Sequence, residues 1–193
     1  MRAPPVDLPF TPNTIDPALS GLWRTARGVQ IEITADGTLF ALQDALPFTL
    51  SVDGQTLTFP TTAPLWQFTR LSGSSGLPGL WERFETDDSG TWREEWHFRS
   101  DGSYTFHWSL NGQFDSEGIG TYVSNGTTLS TRERRAMITT GPDDAIILSV
   151  YFGALLQGTY SVAPDGQSWT LTTAQETFSY TRLSPLYPGT APA

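Results

Sequence analysis

Six Asp-Gly or Asn-Gly dipeptides punctuate the chain, at Asp36-Gly37, Asp53-Gly54, Asp101-Gly102, Asn111-Gly112, Asn125-Gly126 and Asp165-Gly166. Glycine supplies the positive φ that tight hairpins require, and Asn or Asp turns the chain with its own side chain. Short segments of alternating apolar and polar residues run between these points. Strands of that length, broken by such turns, build an antiparallel sandwich or barrel. Helix has little to work with: the best candidates, Asp16–Ser20 and Phe152–Leu156, are too short to hold alone. The expectation is an all-β fold of one or more antiparallel up-and-down β-barrels.

Composition narrows the function. Seven Trp, six Tyr and eleven Phe in 193 residues supply ample apolar area for a core. No apolar run is long enough for a membrane helix, so no membrane insertion is expected. The chain has no Cys, which excludes disulfides, thiolate metal sites and a Cys nucleophile. All eleven basic residues are Arg, so Schiff-base chemistry and a P-loop lysine are excluded as well. A formal charge of −9 argues against nucleic acid or an anionic membrane as partner. No Gly-x-Ser-x-Gly, no His placed to activate a Ser and no phosphate loop ahead of a helix is present, so no cofactor is expected. Nothing at the start reads as a secretory signal, which gives a cytoplasmic expectation.

The chain repeats itself. Gly21-Leu22-Trp23 opens a block that closes on Phe68-Thr69-Arg70-Leu71-Ser72, and Gly79-Leu80-Trp81 opens a second that closes on Tyr180-Thr181-Arg182-Leu183-Ser184. Each block has an early Asp-Gly hairpin, at Asp36 and Asp101, and a late one, at Asp53 and Asp165. This divides the chain into a Pro-rich N-terminal arm (1–20) with Leu8 and Phe10 packed on the body, a short repeat (21–72), a Gly/Ser linker (73–78), a longer repeat (79–184) and a Pro-rich tail (185–193). The short block is either a half-barrel packed on the longer one or a set of strands joining one larger barrel. Two units in close contact are expected.

Register follows from the second block's first hairpin. A three-residue loop, Ser100-Asp101-Gly102, pairs Phe98 with Tyr104, Trp96 with Phe106 and Glu94 with Trp108. Trp92, Glu94, Trp96, Phe98, Tyr104, Phe106 and Trp108 then share the inner face, and Arg93, Glu95, His97, Arg99, His107 and Ser109 the outer. The same loop in the first block pairs Ile33 with Leu39.

A Gly-x-Trp on a first strand with an Arg on a last strand resembles the lipocalin (calycin) pattern. Gly79, Trp81 and Arg182 match it over 79–184, and Gly21, Trp23 and Arg70 repeat it over 21–72. The resemblance implies barrels whose closed ends are plugged by Trp23 and Trp81 with Arg70 and Arg182 packed across them. It also implies a small hydrophobic molecule as partner.

The inner aromatic face has two readings: side chains that fill a small barrel, or the wall of a cavity for one small apolar or amphipathic molecule. Glu94 on that face either orients a ligand's polar group or pairs with an Arg such as Arg83 at the mouth. The first expectation is therefore a binding module. The alternative is a cofactor-independent isomerase or cyclase using Glu94 or Tyr104 as acid. A third is a filled structural barrel that meets a protein partner through its Pro-rich arms. His97 and His107 fall outside with Glu95, so no metal site is expected. Arg132-Glu133-Arg134-Arg135, the one basic cluster, suits either a carboxylate or phosphate or a solvated strand end.

Overall fold

The structure, a computed structural model, describes residues 15–73, 75–150 and 155–183. Leu8, Phe10, the rest of the arm to residue 14, the tail 185–193 and most of 152–156 lie outside the described residues. A single 3-10 turn, Pro17–Leu19, occupies the first helix candidate and is capped by Asp16, which accepts from Ala18 N at 2.9 Å. No helix among the described residues is long and apolar enough to cross a membrane.

Fifteen strands follow among the described residues: β1 (Gly21–Thr25), β2 (Gln30–Ile33), β3 (Thr38–Pro47), β4 (Thr49–Leu50), β5 (Thr56–Phe59), β6 (Trp66–Ser72), β7 (Gly79–Asp87), β8 (Gly90–Phe98), β9 (Ser103–Leu110), β10 (Gln113–Ser124), β11 (Thr128–Thr140), β12 (Ala145–Val150), β13 (Leu155–Val162), β14 (Ser168–Thr173) and β15 (Thr177–Arg182). Every pairing is antiparallel, and the pairings close two rings. The first barrel runs β1-β2-β3-β11-β12-β13-β14-β15 and returns from β15 to β1. The second runs β4-β5-β6-β7-β8-β9-β10-β11 and returns to the end of β3, which β4 continues beyond Phe48. Phe48 N donates to Thr127 O at 2.8 Å and so holds that junction. Each ring has its own core: Trp23, Ile33, Ile138, Ile146 and Trp169 fill the first, and Leu57, Phe68, Trp81, Phe98 and Tyr104 the second.

The hairpin registers match the sequence reading. Phe98 faces Tyr104, Trp96 faces Phe106, Glu94 faces Trp108, and Ile33 faces Leu39. Gly37 and Gly102 take the positive φ that these loops need, 83° in both.

The closing residues pair otherwise than the repeat predicts, which would put Trp23 with Arg70 and Trp81 with Arg182. Instead Arg182 lies over Trp23 and Arg70 over Trp81, each 4.1 Å from the ring centroid. Neither 21–72 nor 79–184 closes a ring by itself: β1 pairs with β15, and β6 pairs with β7. The opening strands of the first segment and the closing strands of the second make one barrel, and the remaining halves make the other. The crossing is carried by β3 and β11, which pair along their length. That ladder shifts register twice, between Leu129 and Thr131 and between Arg134 and Ala136. Bulges bend a strand and raise its twist, which lets this ribbon leave one ring and enter the other.

One face of the ribbon passes from core to core. Leu39 and Ala136 sit in the first core, and Leu46 and Leu129 pack on the second. Between them lie Ala41 opposite Glu133 and Gln43 opposite Thr131, a polar seam in which Thr131 Oγ1 donates to Gln43 Oε1 at 3.3 Å. Burial pushes the Glu133 carboxyl up to about 7, against the pull of Arg135 at 2.8 Å. A carboxyl raised in the folded state binds its proton more tightly there than in the unfolded chain. Stability contributed this way is complete below the unfolded value and is lost as pH rises toward the folded one. The unfolding free energy should therefore fall between pH 4.5 and about 7, by roughly 3 kcal/mol at most. Glu133→Gln should flatten that slope, and a slope unchanged in the variant would place its origin elsewhere.

Candidate functional site

The interior of the second barrel changes character along its axis. At the closed end Trp81, Phe98 and Tyr104 are sealed, each 1% exposed or less. Trp96 stacks on Tyr104 with ring centroids 5.5 Å apart and lies 5.9 Å from Phe106. Strand alternation then carries the same inner rows to the opposite end: Arg83, Glu85 and Asp87 on β7, Glu94 and Trp92 on β8, Trp108 on β9. There a cavity of about 230 Å³ opens, lined by these residues and Arg93. Trp108 is 39% exposed at its lip.

A buried ion pair forms the floor. Glu94 is 4% exposed, and its Oε2 accepts from Arg83 Nε at 2.5 Å. Its other oxygen accepts the indole N–H of Trp96. Arg83 also donates to Glu85 Oε2 at 2.7 Å, and its guanidinium lies over the rings of Trp66 and Phe68, 5.0 and 5.6 Å from their centroids. Two carboxylates and two aromatic faces thus hold one guanidinium, an arrangement that offsets the cost of taking it out of water. The walls are Trp92 and Trp108, edge to face with centroids 6.3 Å apart. Asp87 fixes Trp92 by accepting its indole N–H at 3.0 Å.

The residues named from the sequence divide accordingly. Trp92, Glu94 and Trp108 line the cavity; Trp96 and Phe106 lie beneath it, partly buried; Phe98 and Tyr104 belong to the sealed core. Arg83 is the partner of Glu94, one of the two readings above. Trp66 and Glu85 reach the site as well. Parity is the signal for Glu85, since on β7 the odd positions from Trp81 onward face inward, and it carries Asp87 inward too, although Asp87-Asp88 reads in the sequence as a solvating turn. Trp66 comes from β6. The outer face holds a separate ladder, in which Arg93 bridges Glu82 and Glu95 at 3.0 and 3.1 Å and His107 Nδ1 lies 3.1 Å from Glu95. Burial and the charge of Arg99 push the His97 imidazole below its ordinary range. Among the described residues no group of three metal-ligating side chains is assembled.

Fold and cavity define a double β-barrel with an aromatic-walled mouth over a buried charge pair. Compared with protein-family models, curated proteins and solved structures, the chain matches none.

Removing one partner of a buried pair strands the other. Glu94→Ala should cost about 3 kcal/mol or more of unfolding free energy. Glu94→Leu with Arg83→Met, which removes both charges, should recover much of that loss. Urea titration of the single and double variants reads the difference, and equal losses in both would mean that the pair is not coupled.

Proposed function

We propose that this chain is a lipocalin-like binding protein that takes one small amphipathic molecule into the mouth of its second barrel. The observation that carries the reading is the Arg83–Glu94 pair at the floor of a cavity walled by Trp92 and Trp108. An apolar body gains by leaving water between the two indoles, at roughly 25 cal/mol per Å² buried. A polar end turned inward meets a fixed carboxylate and guanidinium, the few well-placed polar groups that give such cavities their specificity. Kinship to lipocalins is supported by the Gly-x-Trp and Arg closure at both barrels. The cavity is smaller than the usual ligand site, and the sealed core beneath it limits depth. A compact ring system with a hydrogen-bonding group fits better than a long acyl chain.

Binding is favoured over isomerase or cyclase chemistry by the engagement of Glu94. Both of its oxygens already accept hydrogen bonds, and Tyr104 lies in the sealed core below. The filled structural barrel is the reading that failure of the following test would leave.

Native mass spectrometry of the protein from its own host should show a retained small molecule. Titration with small aromatic alcohols, retinoids and fatty acids, followed by Trp fluorescence, should saturate for the first class. Trp108→Ala should weaken that binding roughly tenfold or more, about 1.4 kcal/mol. A bare mass together with flat titrations would count against the proposal.

A further inference from the structure

The outer surface holds a second concavity, unconnected with the mouth. It lies across four adjacent strands, β9, β10, β11 and β3, where the shared ribbon leaves the second barrel. Register sets its members side by side: Arg134 opposite Phe40, Arg132 opposite Thr121, Thr121 opposite Ser103, and Ile119 opposite Thr105. Arg99 joins them from the hairpin between β8 and β9. The groove measures about 390 Å³ and is lined by Phe40, Arg99, Thr105, Thr121, Arg132 and Arg134, among others.

Its chemistry departs from the rest of the molecule. The chain carries twenty acids against eleven arginines, yet among the described residues three arginines and no carboxylate line this groove. Arg132 is held in place, with its Nε on Glu32 Oε2 at 2.5 Å and its guanidinium 3.4 Å from the centroid of Phe40. One edge is thereby used, and the guanidinium's fork has donors to spare. Arg99 makes a long hydrogen bond to the Thr105 hydroxyl, 3.4 Å. Asp101, the acid nearest in sequence, interacts electrostatically with Arg99 and accepts from Ser103 N and Oγ at 2.9 and 2.7 Å, but it does not line the groove. Two hydroxyls, from Thr105 and Thr121, supply neutral donors, and Phe40 and Ile119 supply apolar floor.

Planar guanidinium forks with hydroxyls beside them match the oxygens of a phosphate or carboxylate, and a flat apolar surface suits the organic part that carries it. We propose that this groove binds a small organic oxyanion, a phosphate ester or a polycarboxylate, independently of any ligand in the barrel mouth.

The test is a titration of the full chain at constant pH and ionic strength, following the arginine Nε–Hε resonances. Inorganic phosphate is one probe and citrate the other, with chloride as control. Saturable shifts at Arg99, Arg132 and Arg134 are expected for at least one probe. Arg99→Gln should raise the dissociation constant at least tenfold, whereas Arg27→Gln, at an exposed site elsewhere, should leave it unchanged. Arg99→Lys, which keeps the charge but loses the fork, serves if the Gln variant does not fold. A response to phosphate alone supports the ester, and a response to citrate alone supports the polycarboxylate. Shifts that only follow chloride, or an affinity that the Arg99 variants leave unchanged, overturn the proposal.

Discussion

An arginine laid across a buried tryptophan closes each barrel, and the architecture depends on it. Among the described residues each guanidinium is held without a carboxylate partner in the closure. Arg182 donates to Gly166 O, Ser20 O and Ala18 O at 2.8, 3.1 and 3.1 Å, and Arg70 donates to Gly54 O at 2.6 Å, Pro78 O at 3.0 Å and Gly76 O. Backbone carbonyls and a π face satisfy the charge as it leaves water. Burial alone pulls the Arg70 guanidinium below its ordinary range. Each closure gathers three chain segments: the late Asp-Gly turn, the residues ahead of the Gly-x-Trp strand, and the last strand itself. The Trp is tied in by the same rule at both ends, with Trp23 Nε1 donating to Leu19 O and Trp81 Nε1 to Leu77 O, each at 2.8 Å. The glycine of the motif follows from the same contact. A β-carbon at Gly21 or Gly79 would collide with the guanidinium, and the backbone there has φ of 139° or 146°.

Two such closures in one chain leave a choice of partners, and the long ribbon makes it. A chain whose repeats each closed locally would need β3 and β11 to end within their own barrels. Here both strands run on, pair with each other and pass from core to core. The polar seam of Gln43, Thr131 and Glu133 marks where neither core claims the ribbon. The groove with Arg99, Arg132 and Arg134 lies on the opposite face of that same crossing. The exchange thus accounts for two features that separate barrels would lack.

The turns, the all-β class and the register of the hairpins were legible in the sequence, because each is set within a few residues. Asp101-Gly102 demands its loop, and alternation then puts Trp96 and Glu94 inside. The partner of Arg182 was not legible, because Trp23 stands at the other end of the chain. Arg70 and Arg182 share one local contact, each donating to the carbonyl of a turn glycine sixteen residues back. They differ beyond it: Arg70 lies across a short linker from Trp81 on the next strand, whereas Arg182 reaches Trp23 only where β15 closes on β1. The site was legible to the same depth. Glu94, Trp92 and Trp108 came from alternation, and Arg83 followed once a buried carboxylate needed a cation. Trp66, on a strand far from β8 in sequence, required the ring of pairings to be known.

Interstrand nuclear Overhauser contacts test the exchange most directly, since β1 and β15 are separated by nearly the whole chain. The exchange predicts cross-strand contacts joining Trp23 to Arg182 and Thr25 to Tyr180, together with contacts joining Arg70 to Trp81. Contacts between Trp81 and Arg182 in their place would show each repeat closing on itself and would contradict it.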